Sequence, residues 1–227
     1  MSRQPKTKPW KSGAAEQPAT AQQIVQTLES HQKRIIDLIG EEPFAVYEFL
    51  SSEYSRGRVD ENLLFQFVYR SYYRLDNAGL TADFKTQYFQ LMERARRSNA
   101  IDLRALAAHL YQYKTLRNQN SLQFSFVTKL AATVNPTYPI YDRLVATAMD
   151  FPPPDGGKTF PQGLDRYMRF YEWLRSLYST LLGDSTLLAI IKLLETQYPL
   201  AVRIPPAKAL DFLLWSAGKL NIRLFPS

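Results

Sequence analysis

Lys129 and Asp142 are the two side chains whose setting in this sequence invites chemistry. Lys129 is the only charge near neutral pH between Arg117 and Asp142, and it stands inside the apolar run Phe124-Ser125-Phe126-Val127-Thr128-Lys129-Leu130-Ala131-Ala132-Thr133-Val134. On a helix, Leu122, Phe126, Lys129 and Thr133 share one face, while Phe124, Val127, Ala131 and Val134 line another, so the lysine falls on a stripe marked for burial. A buried lysine loses hydration and with it some of its hold on the proton. The neutral amine is then a nucleophile of the kind that forms Schiff bases. The ordinary alternative is that the methylenes lie along apolar surface and the ammonium reaches water at the helix edge. Asn135-Pro136-Thr137-Tyr138-Pro139 turns the chain back, with a second helix expected from near Pro139, which places Asp142 beside that helix's start. There the helix dipole and free amides keep a carboxylate ionised, ready to stabilise a developing cation or assist proton transfer. The same position also suits a carboxylate that only caps the helix.

The elements that must hold this pair are helical throughout. Residues 1–19, with Pro5, Pro9 and Pro18 among Ser, Thr, Gly and Gln, read as a disordered basic arm. Residues 20–227 read as a single all-α domain of about nine or ten helices, which in two layers would leave a cleft near 121–145. Thr20 is the expected N-cap of the first helix and Gly40 its stop; a second helix follows Pro43 and ends before Gly57. Asp60 is the expected cap of an aromatic third helix, with Arg70 and Arg74 interleaved among Tyr69, Tyr72 and Tyr73. That mixture suits base stacking, or core tyrosines with their hydroxyls at the edge, the reading taken here. Thr81 and Asp102 open the next two helices, and after the Lys129 segment come Leu164–Leu182, Thr186–Tyr198 and Lys208–Ala217.

Composition narrows the function classes. A 45% hydrophobic content over 227 residues supports a substantial core. No run approaches the roughly twenty apolar residues of a membrane span, and no secretory h-region is seen, so the cytoplasm is the expected compartment. With zero cysteines, and with His31 and His109 far apart, no metal centre and no cofactor is expected. Gly157-Lys158-Thr159 resembles the end of a phosphate-binding loop, but Pro152 occupies the first glycine position and no apolar strand precedes it, so the segment is expected to be a turn. Hydrolase and dinucleotide-binding fingerprints are absent. The net charge of +7 favours a polyanionic partner; +3 of it lies in the first twenty residues. Arg94, Arg96, Arg97, Lys114 and Arg117 are the candidate phosphate contacts. The three arginines also suit the C-terminal end of a helix dipole.

Phe126-Val127-Thr128-Lys129, an apolar helix, a proline turn and then Pro139-Ile140-Tyr141-Asp142 are similar to the catalytic segment of the helix-hairpin-helix DNA glycosylases, especially their 8-oxoguanine glycosylase branch. The resemblance covers roughly 25 of the 227 residues. It departs from the family where Ser125-Phe126-Val127 replace the glycine-rich hairpin, and the helix between lysine and aspartate is shorter. It implies Lys129 as the Schiff-base nucleophile at the sugar C1′, Asp142 as the carboxylate aiding base departure, a flipped base held between helical layers near Phe126, Tyr138 and Tyr141, and DNA as partner. The alternative expectation is a helical DNA- or protein-binding module that keeps such a scaffold without its chemistry.

Overall fold

The computed structural model describes residues 17–98, 100–151 and 159–225. They form ten α-helices: α1 (Gln17–Ile39), α2 (Glu42–Arg56), α3 (Leu63–Tyr72), α4 (Ala82–Ser98), α5 (Leu103–Tyr111), α6 (Phe124–Val134), α7 (Arg143–Ala148), α8 (Phe160–Leu181), α9 (Ser185–Gln197) and α10 (Pro206–Lys219). A 3-10 turn, Pro199–Arg203, joins the last two. The β pairing among these residues is one isolated antiparallel bridge between Leu80 and Thr115, so the fold is all-α. The expected turn at 152–158 and most of the N-terminal arm lie outside the described residues.

Local chemistry sets most helix ends. Gly40 ends α1 at φ +72°, a left-handed conformation that favours glycine. Asp102, Asp142 and Asp184 cap α5, α7 and α9 by accepting backbone N–H bonds from the first turn. Four expected boundaries are corrected, the first being α8, which begins at Phe160 rather than Leu164, with Gln162 accepting the Thr159 N–H at its start. Thr20 lies inside α1, which already includes Gln17. Asn62 rather than Asp60 caps α3, accepting from the Phe65 N–H at 2.9 Å, because Asp60 is held by the Arg58 guanidinium. The helix expected near Pro139 begins at Arg143, since the backbone of 139–141 is drawn out by side chains from other helices.

Packing has two centres. In one, α4, α5 and α6 pack against one another; in the other, α1 meets α8, α9 and α10, and α10 lies across α7. The connection from α6 to α7 therefore runs from one centre to the other. The crossing of α7 and α10 is close enough to exclude a side chain: a Cβ on Gly218 would stand 2.5 Å from the Leu144 carbonyl oxygen. No single described helix is long and apolar enough to cross a membrane.

Candidate functional site at the junction of α6, α7 and α10

The site begins with how α6 is fixed. Phe124, at its start, packs edge-on to Tyr141 and Tyr171 and stacks on Tyr167 at 5.0 Å between ring centroids. On the opposite side, buried Tyr69 and Tyr88 have their hydroxyls 3.0 Å apart. Tyr88 donates to the Phe126 carbonyl at 2.8 Å, and Tyr69 reaches the Thr133 hydroxyl at 3.2 Å. The inner face of the aromatic third helix is thus core, with the Tyr69 hydroxyl spent on α4 and α6. Burial pushes both phenols well above their ordinary range, so they act as neutral hydrogen-bonding groups.

Lys129 is 9% exposed. Its Nζ lies 3.7 Å from Asp142 Oδ2, 5.1 Å from the Phe126 ring centroid and 5.7 Å from that of Tyr73. At 3.7 Å the lysine and aspartate form an ion pair without a direct hydrogen bond. Burial pulls the amine below the ordinary lysine value of 10.5; the Asp142 charge opposes this, and the positive charges of Lys208 and Arg74 add to it. The first-drawn alternative, an ammonium lifted into water, is not what the fold does. Asp142 is the more open partner, its side chain 24% exposed against 11% for the lysine. Its Oδ1 accepts the Leu144 N–H at 2.8 Å and caps α7, which leaves Oδ2 for the amine.

Four neighbouring groups hold the turn that delivers Asp142. The Tyr171 hydroxyl donates to the Pro139 carbonyl at 2.8 Å; the Ile140 N–H donates to Asp211 Oδ1 at 3.0 Å; the Tyr141 N–H donates to the Thr128 hydroxyl at 3.0 Å. Tyr178 donates to the same Asp211 oxygen at 2.7 Å. The Pro139 carbonyl and the Ile140 and Tyr141 N–H groups, drawn out of helical pairing, are therefore matched by buried side chains. The geometry of Asp142 relative to Lys129 rests on α6, α8 and α10 together.

Comparison of the chain with family models, with curated proteins and with solved structures finds no match. The site is therefore read from its own geometry.

Other expected site residues are dispersed. Arg96 donates from Nη2 and Nε to the two oxygens of buried Glu93, at 2.6 and 2.8 Å, and Glu93 also accepts the Val59 N–H, which makes Arg96 part of a structural network. Arg94 and Arg97 are exposed, as are Lys114 and Arg117. The Lys114 carbonyl accepts from Thr81 at the start of α4, whereas the arginines sit in its last turns. At 1.5 Å per residue, the two basic groups lie about 20–24 Å apart along α4. Of the three expected base-pocket aromatics, Phe126 touches the lysine. The Tyr141 ring is packed among Phe124, Phe151, Tyr167 and Phe170, and the Tyr138 ring lies under the Arg175 guanidinium at 4.4 Å. Two surface concavities, of about 230 and 290 Å³, are lined around Glu48 and Arg203 and around Arg94 and His109; neither includes Lys129 or Asp142. No group of acidic or histidine side chains among the described residues is placed to hold a metal ion.

Three residues at this junction were not among the expected site residues: Tyr73, Lys208 and Asp211. A signal existed, since Lys208 and Asp211 are the only charges between Pro206 and Gly218 on a helix otherwise built of Ala, Leu, Phe, Trp and Ser. Lys129 stands in the same kind of apolar setting.

The depressed proton affinity of Lys129 has a measurable consequence for stability. Between its lowered folded-state value and 10.5, the unfolded chain carries a proton on Lys129 that the folded chain lacks, so raising the pH favours folding through this group. In Lys129→Met the contribution is gone. The stability of this variant relative to wild type, measured by urea unfolding, is expected to decline as pH rises through that window, by up to about 1.4 kcal/mol per pH unit. A difference independent of pH would show that the amine titrates as an ordinary lysine.

Proposed function

We propose that this chain is a DNA base-excision protein that releases a damaged or modified base through a Schiff base on Lys129. The observation that carries the reading is the burial of the Lys129 amine 3.7 Å from a carboxylate that caps the next helix. It joins the likeness of the Thr128-Lys129 and Pro139–Asp142 segments to the helix-hairpin-helix glycosylases and the net charge of +7.

In such a reaction the neutral amine donates its lone pair to the sugar C1′ while the bond from C1′ to the base breaks and the base leaves with the bonding electrons. The Asp142 carboxylate faces the positive charge that develops on the sugar. The amine then loses a proton, the sugar ring opens, and the C1′–N bond becomes an imine that water or elimination resolves. Phe126 and Tyr73 keep water from the amine. The target nucleotide must be extruded from the duplex to reach it, approaching from the more exposed Asp142 side.

Borohydride reduction traps the imine as a covalent protein–DNA adduct. Full-length protein incubated with oligonucleotides carrying oxidised, alkylated, deaminated or abasic sites is expected to give a trapped species on at least one, and Lys129→Gln none. Absence of a Lys129-dependent adduct on every substrate would remove the lyase reading.

A second reading, a helical module that binds DNA or protein without chemistry, draws on a different observation. Leu63, Leu64 and Phe67 are 79%, 59% and 60% exposed at the start of α3, an apolar patch of the sort that marks a binding surface.

A further inference from the structure

Beside Lys129 lies a second buried lysine. Lys208 on α10 is 4% exposed, and its Nζ stands 3.4 Å from Asp211 Oδ2, one turn along the same helix. Its ammonium is lined by the rings of Phe212 at 5.1 Å, Tyr47 at 5.8 Å and Tyr73 at 5.8 Å. Tyr73 is also the ring against which Lys129 rests, at 5.7 Å. The two nitrogens are therefore no further apart than the sum of those two distances, 11.5 Å, across a buried aromatic junction. Two lysines brought together in a core repel each other, and neither is needed to fill the volume, which Met would fill.

We propose that Lys208, held in place by Asp211, is a positioning cation that disfavours a second positive charge on the Lys129 amine, while the same Asp211 carboxylate fixes the turn that delivers Asp142. The inference rests on the reading of Lys129 as a nucleophile. One oxygen of Asp211 serves Lys208; the other accepts from the Ile140 N–H and from Tyr178. A single buried carboxylate thus ties the second lysine to the backbone two residues before Asp142. The charged groups around the Lys129 amine are Asp142 from α7, Lys208 and Asp211 from α10, and Arg74 just beyond α3. The phenols of Tyr47, Tyr72 and Tyr73 are held neutral, since burial raises all three above their usual range. From α4 comes the neutral Tyr88, and α5 turns Leu103, Leu106 and Leu110 inward. Of the cations, Lys208 is the one buried with the amine. Arg74 is exposed and its charge is screened by water.

Competitive labelling of the folded full-length chain with an amine acylating reagent across pH, resolved peptide by peptide by mass spectrometry, gives the titration midpoint of Lys129. Lys208→Met removes a positive neighbour and uncovers the Asp211 charge, both of which favour protonation of Lys129. The midpoint is expected to rise by roughly 1 pH unit, the size of a unit charge about 10 Å away at an effective dielectric of about 20. Lys208→Gln, which can still donate to Asp211, is expected to move it the same way, and Lys208→Arg to leave it at the wild-type value. An unmoved midpoint in a folded neutral variant, or an equal shift in Lys208→Arg, would overturn the proposal. So would loss of helical circular dichroism in both neutral variants, because the pair would then be a structural requirement. The labelling uses no nucleic acid, so it separates from the DNA reading. A shifted midpoint without any trapped adduct supports the Lys208 proposal and removes the lyase; an unmoved midpoint with a trapped adduct does the reverse.

Discussion

Asp211→Ala is expected to destabilise the protein by about 3–5 kcal/mol, the range for removing one partner of a buried ion pair. The effect comes from what the substitution leaves behind. Lys208 becomes a charge with 4% exposure and no carboxylate at 3.4 Å, the Ile140 N–H loses its acceptor, and the buried Tyr178 hydroxyl loses its own. Each orphaned polar group adds its own desolvation penalty of about 1–3 kcal/mol, part of which is recovered if Lys208 gives up its proton. Asp211→Asn keeps an oxygen where Ile140 and Tyr178 need one and is expected to lose distinctly less. Urea unfolding monitored by circular dichroism measures both, with the slope against denaturant reporting whether the folded state stays compact. A loss below about 1 kcal/mol in Asp211→Ala would mean that the junction relaxes around the gap and that Asp211 does not anchor the Pro139–Asp142 turn.

Asp142→Asn is expected to slow adduct formation by about 10²–10⁴-fold, on any substrate that traps wild-type protein, and to cost less stability than Asp142→Ala because it keeps the α7 cap. The separation follows from the two oxygens. Oδ1 accepts the Leu144 N–H and caps α7, a task asparagine performs as well as aspartate. Oδ2 supplies the negative charge 3.7 Å from the Lys129 amine, which asparagine does not have. Asp142→Ala removes both functions. It should show the same loss of rate together with about 1 kcal/mol of lost stability from the missing cap. Trapping time courses and urea unfolding on the same three proteins distinguish the roles, and wild-type rates in Asp142→Asn would reduce this carboxylate to a helix cap.

The helical class, most helix boundaries and the unusual position of Lys129 were legible in the residues themselves, because each is written in local pattern. Apolar spacing, capping side chains and glycine stops act within a few residues of where they stand, as at Gly40, Asp102 and Asp184. The pairing of Lys129 with Asp142 was within reach of the same reasoning, since a short proline turn joins the helices that carry them. The start of α7 was not: Asp211 and Tyr171, which draw out the backbone at Ile140 and Pro139, are separated from it by 71 and 32 residues. Nor could composition show that the basic residues on and beside α4 divide between its two ends. The second lysine is the clearest case. In sequence Lys208 is one of eleven lysines, set apart only by its apolar neighbours, and only the packing of α10 against α7 and α1, with Tyr73 reaching in from α3, makes it a buried cation beside Lys129. Helices follow from contacts between near neighbours, but burial and electrostatic coupling depend on which helix faces meet. The tertiary structure alone decided that, and with it the surroundings of the Lys129 amine.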